Sequence, residues 1–196
     1  MRTMRGTAHL VIGAAAGLAV GVALHAPLPL AGTVGAVSGL LPDIDHQHST
    51  VGRIVPWPAV ERPGRGGFVA HGRRWFGGRV IWHRGETHSV GAAGLAASIT
   101  VGVVRLAVGW LAAHGVHLHP WALAGVGGTV MLAGYLSHLL ADTVNRSPQM
   151  LWWPFRRRMV HPPWRGWPEA SAAGRTAEVA AQVLAVCAAV ALLPHP

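Results

Sequence analysis

Between Val90 and Ala141 the chain carries one charged side chain, Arg105, within two long apolar runs separated by the short segment His114–Pro120. A helix needs roughly 20 apolar residues to cross the hydrocarbon core of a bilayer. Val90–Ala113 and Trp121–Ala141 both meet that length, which excludes an ordinary water-soluble globular fold. The composition agrees: 51% of residues are hydrophobic and 12% charged, against about 25% charged in soluble domains. The same apolar content excludes a disordered chain. Three shorter runs, His9–Leu24, Leu28–Leu41 and Ala177–Leu193, either span where the bilayer thins or lie re-entrant or packed between longer neighbours. The expected fold is therefore all-α, a polytopic membrane bundle of four or five transmembrane helices. It forms a single membrane-embedded domain over residues 1–196.

The start of the chain also has the outline of a secretory signal peptide. Pro27 follows the would-be cleavage point at Ala26, however, and Leu24 is bulky where a small residue is needed, so the segment is expected to stay. All 16 basic residues are Arg, set against seven acids. Arg2 and Arg5 precede the first run, seven Arg lie from Arg53 to Arg84, and six from Arg146 to Arg175. The connections Pro27–Pro29 and His114–Pro120 hold none. The positive-inside rule then places the N-terminus in the cytoplasm of a multi-pass plasma (inner) membrane protein. Two cytoplasmic loops follow, a Gly/Pro/Arg-rich one at about 53–82 and an Arg/Trp-rich one at about 146–175. Seven of the nine Trp lie in them, which suits contact with the headgroup layer. The run Arg65-Gly-Gly-Phe68 hints at nucleic acid, but basic residues beside a membrane meet anionic lipid, so membrane lipid is the expected partner. No feature specifies an oligomer.

Four of the acids fall in three compact polar motifs. Leu40-Leu-Pro-Asp-Ile-Asp-His46 closes the second run, His83-Arg-Gly-Glu-Thr-His-Ser89 opens the third, and Ser137-His-Leu-Leu-Ala-Asp142 ends the fourth. With alternating helix directions, His9, Asp43, Asp45, His83, His88 and Asp142 gather at one membrane face, with His138 one turn deeper. His138 and Asp142 share a helix face at i, i+4. His9, Gly13, Gly17 and Gly21 follow the same step, and small residues at that spacing mark close helix packing, so His9 is expected to face the bundle interior. Ionisable groups within a membrane bundle are costly and mark functional sites. A metal ion offsets that cost, and imidazole with carboxylate suits zinc. His9, Asp43, Asp45, His83, His88, His138 and Asp142 are thus the candidate ligands for one or two divalent ions, zinc first and manganese as the alternative.

Other residues have plainer readings. His138 and Asp142 alone can be a hydrogen-bonded pair, and Asp43 and Asp45 alone can turn the chain after Pro42. His46 and His48 can be solvated neighbours. Thr87 and Ser89 most simply cap the third helix. His114, His117 and His119 lie in the opposite loop, and His25, His71, His161 and His195 have no partner pattern. Cys187 is the single cysteine, which excludes an internal disulfide framework and a Cys-based zinc cluster.

Three motifs in order, Leu41-Pro-Asp-Ile-Asp-His46 with Ser49 and Gly52, His83-Arg-Gly with Thr87-His-Ser89, and Gly134-Tyr-Leu-Ser-His138 through Asp142-Thr-Val-Asn145, resemble the YdjM-type family. Its members are described as inner-membrane, metal-dependent hydrolases. The resemblance runs from His9 to about residue 154, including Leu151-Trp-Trp-Pro154. Glu86 lies outside the family pattern, and Pro56–Arg79 looks like a lineage-specific insertion. A more distant similarity, through the His-x-x-x-Asp spacing of His138 and Asp142, is to the zinc-dependent phospholipase C and P1-nuclease group. It suggests phosphoester hydrolysis by analogy of fold.

The expected function is a membrane-bound, metal-dependent hydrolase acting on a phosphoester or lipid-like small molecule at the cytoplasmic interface. Asp45 would orient a ligand or take a proton, Arg84 would neutralise an anionic substrate, and Glu86 would be a possible general base. The rival is a non-enzymatic membrane protein whose metal site is structural or handles ions. An ion pathway needs polar groups through the whole membrane depth, whereas here they gather at one face. Arg105 is the exception, expected to snorkel or to pair internally.

Overall fold

The computed structural model describes residues 6–63, 69–74, 78–143 and 148–160, with isolated positions 176, 179, 180, 182, 183, 185 and 186. Its helices are α1 (Gly6–Ala23), α2 (Leu28–Ser38), α3 (Val90–Ala113) and α4 (Pro120–Asp142). Among the described residues, α1, α3 and α4 are long and apolar enough to cross a membrane. The fold is a helical membrane-type bundle. The seven isolated positions include helical backbone inside the expected fifth run, Ala177–Leu193, most of which lies outside the described residues, Cys187 with it.

The second run is shorter than expected. With 11 residues, α2 rises about 16 Å, about half of the roughly 30 Å hydrocarbon core. The physical cause is Pro42, which has no amide to continue the helix and disfavours helical geometry just before it. The chain tightens instead into a 3-10 turn over Leu41–Asp45. Asp43 N–H donates to the Leu40 carbonyl at 3.2 Å, so the Gly39 carbonyl, which a continuing α-helix would have given to Asp43, is released from the helix.

Glycine sets how closely the helices approach. A Cβ added at Gly13 or Gly17 of α1 would collide with the Gly35 or Ala31 carbonyl of α2. At Gly39 it would lie 2.5 Å from the His9 carbonyl. A Cβ on Gly134 of α4 would strike Ser38 Oγ and lie 2.6 Å from the Gly35 carbonyl. The α1–α2 hairpin and α4 therefore meet backbone to backbone, the packing expected from the four-residue glycine step. Helix α4 touches all three other helices, while α3 packs chiefly on α4. Arg105, exposed on α3, lies over the exposed Trp121 ring, 3.7 Å from its centroid.

The Gly/Pro/Arg-rich loop holds a feature the composition concealed. Strands β1 (Ala59–Pro63), β2 (Val69–Arg74) and β3 (Val80–Trp82) form an antiparallel sheet in the order β1-β2-β3. Val60, Val69, Val80, Ile81 and Trp82 are strand-favouring residues among the glycines. Buried Arg73 holds the preceding segment down by donating to the carbonyls of Val55, Trp57 and Gly52. His83 N–H donates to the His71 carbonyl at 2.8 Å, tying the sheet to the second polar motif.

Gly35→Ala is expected to destabilise the protein by about 1–3 kcal/mol through overpacking. Gly109→Ala, where an added Cβ meets nothing within 4 Å, should be neutral or slightly stabilising. Thermal unfolding of the two variants in detergent checks the contrast.

Candidate metal centre

Each helix end brings its polar residues to the same place because the helices alternate in direction. His9 lies in the first turn of α1, Asp43 and Asp45 in the turn after α2, His83 and His88 just before α3, and His138 with Asp142 in the last turns of α4. His88 and His138 have no exposed surface, and His9, Asp45 and Asp142 are equally sealed at 1–2%. All seven candidate ligands thus converge, and His9 does face the bundle interior.

Hydrogen bonds outside the cluster orient the imidazoles. His138 Nδ1–H donates to the released Gly39 carbonyl at 2.7 Å, which leaves its Nε2 lone pair facing inward. His83 Nδ1–H donates to Asp45 Oδ1 at 2.9 Å, and its Nε2 is buried without a hydrogen-bond partner. Asp45 also accepts from Thr87 Oγ1, whose main-chain carbonyl in turn accepts from Tyr135 Oη at 2.6 Å. Thr87 therefore holds Asp45 rather than capping α3, a correction to the sequence expectation. Ser89 does cap α3, accepting from Ala92 N–H at 3.0 Å.

The inward-facing atoms are spaced differently. His88 Nε2 lies 3.3 Å from His138 Nε2 and 3.5 Å from both Asp43 Oδ1 and Asp142 Oδ2. His138 Nε2 is 3.8 Å from Asp43 Oδ1 and 3.7 Å from Asp142 Oδ2, and His9 Nε2 is 3.6 Å from Asp142 Oδ1. Most of these separations are too long for hydrogen bonds. Two ligands at about 2.0–2.2 Å from a tetrahedral ion are about 3.3–3.6 Å apart, so the spacing fits atoms around a shared cation. Three overlapping trios, His9/Asp43/His138, Asp43/His83/His88 and His88/His138/Asp142, each present ligand atoms within 4.8 Å of one another. These buried groups could hold a metal ion.

Electrostatics favour ligand-ready protonation states at Asp43 and His88. Burial alone would raise the Asp43 carboxyl, but the facing His88, His138 and His83 imidazoles outweigh it and hold the group well below the usual carboxylate range. Burial pushes the His88 imidazole down and keeps it neutral. His83 goes the other way: burial opposes its charge, but the Asp45 carboxylate raises its pKa above the ordinary value. Burial, reinforced by His83, pushes His46 down to about 4.

The three residues expected to assist the metal, Arg84, Glu86 and Asp45, each have a partner within the protein. Arg84 is buried, with Nη2 3.4 Å from Asp142 Oδ2, so its charge is directed at a candidate ligand. It has a left-handed φ of 62°, a costly conformation outside glycine. Its carbonyl accepts from Met150 N–H at 3.0 Å, which fixes the backbone on the other side. Glu86 Oε1 accepts from Arg79 Nη2 at 2.6 Å and belongs to none of the three trios. Asp45 too lies outside those trios, engaged by His83 and Thr87.

Motif residues that the sequence left without a role complete the site. Ser49 Oγ donates to the Asp43 carbonyl at 2.7 Å and accepts from Gly52 N–H at 2.8 Å, which shapes the turn carrying both aspartates. The Leu151 and Trp153 carbonyls accept from Val90 and Gly91 N–H at 2.9 and 3.2 Å, closing the start of α3. The signal for both lay in the motif residues Ser49, Gly52 and Leu151-Trp-Trp-Pro154, whose roles only the fold reveals.

Fold and site together define a helical membrane protein with a buried His/Asp group at one end of its bundle. The chain belongs to the family described as YdjM inner membrane protein, which matches residues 4–194. It is 35% identical over 123 residues to inner membrane protein YdjM of Escherichia coli (strain K12), covering 63% of this chain and 48% of that relative. The protein of the same name from Shigella flexneri matches with the same figures. The chain thus spans about half the length of the curated relatives it matches. No solved structure matches.

Proposed function

We propose that the protein is a metal-dependent hydrolase of the inner membrane, acting on a phosphoester or lipid-like substrate at the interface where its polar end lies. The observation that carries this reading is the 3.3–3.8 Å spacing of the inward-facing atoms of His9, His88, His138, Asp43 and Asp142. Most of it matches the separation of about 3.3–3.6 Å between ligands on one ion better than that of hydrogen-bonded partners. The donor set of imidazole and carboxylate suits zinc, with manganese as the alternative.

The residues divide the work. His9, Asp43, His88, His138 and Asp142 would hold the ion, with His83 completing a second trio. A divalent ion in that position supplies Lewis-acid activation of water and of the bond to be cut. Asp45 orients His83 by accepting its Nδ1–H, which leaves Nε2 free to face an ion. Arg84 balances the charge of Asp142 and fixes its carboxylate.

A second reading has its own observation. The site is almost wholly sealed, and structural metal sites are closed whereas catalytic ones keep an open position. That favours a non-enzymatic protein whose ion holds the helix ends together. Metal content and turnover separate the two. Purified protein is expected to hold one or two zinc or manganese ions per chain, lost in His138→Ala and Asp142→Ala. Asp45→Asn is expected to lower metal affinity by about 10–100-fold. Metal-dependent cleavage of a phosphodiester such as bis(p-nitrophenyl) phosphate supports the hydrolase, metal without cleavage of any phosphoester supports the structural site, and equal metal in all variants removes both.

Arginine placement supports a cytoplasmic N-terminus and a cytoplasmic polar end. A topology reporter inserted within His114–Pro120 should then report the periplasmic side. A cytoplasmic signal would reverse the orientation.

A further inference from the structure

The small sheet brings together three histidines that the sequence leaves scattered. His46 and His48 follow the first aspartate motif, and His71 lies on β2 directly opposite Glu61 of β1. Their ring centres form a nearly equilateral triangle: 5.7 Å for His46–His48, 5.5 Å for His46–His71 and 6.0 Å for His48–His71. An imidazole ligand places its ring centre about 3.2 Å from a zinc-type ion, so two tetrahedral imidazoles have ring centres about 5.2 Å apart. The observed triangle is slightly wider than that arrangement.

The nitrogens in the triangle are weakly committed. His46 Nδ1 accepts only the His48 backbone N–H, at 3.3 Å. His71 Nδ1 is buried without a hydrogen bond, 3.3 Å from Glu61 Oε1. The same Glu61 oxygen accepts from Gln47 Nε2 at 2.6 Å, and that amide lies 3.1 Å from His48 Nε2. Three imidazoles and a carboxylate therefore lie side by side, their ligand atoms more widely spread than those of the three buried trios, a donor set for a divalent transition metal that would draw together on binding.

Position supplies the role. His48 is exposed, His71 partly so and His46 buried. The His46 ring is 4.5 Å from that of His83, His83 is 4.9 Å from His88, and His88 is 5.2 Å from His138. Imidazoles thus run without a break from solvent to the sealed centre, and a buried metal site needs an entry path. We propose that His46, His48, His71 and Glu61 form a second, solvent-facing divalent-metal site, from which the ion passes by way of His83 to the buried centre. The transfer step rests on the metal-centre reading above; the surface site does not.

The test is cobalt(II) binding to full-length protein in detergent, read by equilibrium dialysis and visible absorption. In the His88→Ala/His138→Ala background, which takes a ligand from each of the three buried trios, one weak cobalt equivalent should remain. Adding His48→Gln and His71→Gln, both on side chains with solvent exposure, should remove it. A background that retains no cobalt, or an equivalent that survives the added substitutions, overturns the surface site. In otherwise wild-type protein, His48→Gln/His71→Gln should slow uptake of the tightly held ion while leaving its final occupancy unchanged; unchanged uptake overturns the transfer role. Tight metal that is indifferent to His88→Ala/His138→Ala would instead fault the buried centre.

Discussion

The structure depends on backbone contact at Gly35. Its Cα and carbonyl face Gly13 and Gly17 of α1 on one side and Gly134 of α4 on the other, at distances that leave no room for a side chain. In a lipid medium there is little hydrophobic drive to bring helices together, so close van der Waals approach carries much of the association. That approach also determines chemistry. With α1, α2 and α4 in contact, His9, the Gly39 carbonyl and His138 fall within bonding reach, and the stacked His9 and His138 rings lie 3.7 Å apart.

Pro42 links the packing to the site. By ending α2 it turns Asp43 and Asp45 inward and releases the Gly39 carbonyl, which then fixes the tautomer of His138. Three more polar groups are held by contacts of their own: His83 by Asp45, Asp45 by Thr87, Asp142 by Arg84. Outer contacts of this kind are what hold ligand groups in a fixed arrangement. Two rings of interaction result, an outer one at hydrogen-bond distance and an inner one at ligand-to-ligand distance.

Much of this was legible in the sequence, for identifiable reasons. The spans Val90–Ala113 and Trp121–Ala141 were readable because apolar length is a nearly sufficient signal for a membrane helix. The convergence of His9, Asp43, His83, His88, His138 and Asp142 followed from alternating helix direction alone. The orientation of His9 was visible in its glycine spacing. The end of α2 was misjudged because hydropathy continues through Leu40 and Leu41 while the backbone is already governed by Pro42. The sheet was hidden because Gly and Arg dominate 59–82, and strand pairing depends on tertiary context more than on local preference. His71 gained partners only through its register with Glu61, which no local pattern encodes. Arg84 reads as a counter-charge for an anionic substrate because its burial against Asp142 requires both loops to be in place.

The central claim is that trios drawn from His9, Asp43, His88, His138 and Asp142 can hold a divalent cation. The most direct measurement is X-ray absorption at the zinc edge of protein reconstituted with one equivalent of zinc. The account predicts a shell of nitrogen and oxygen at about 2.0–2.2 Å, with the multiple scattering of at least two imidazoles and no sulfur. That imidazole signature should weaken in His88→Ala. A shell of oxygen alone, or an imidazole signature unchanged in His88→Ala, would contradict it.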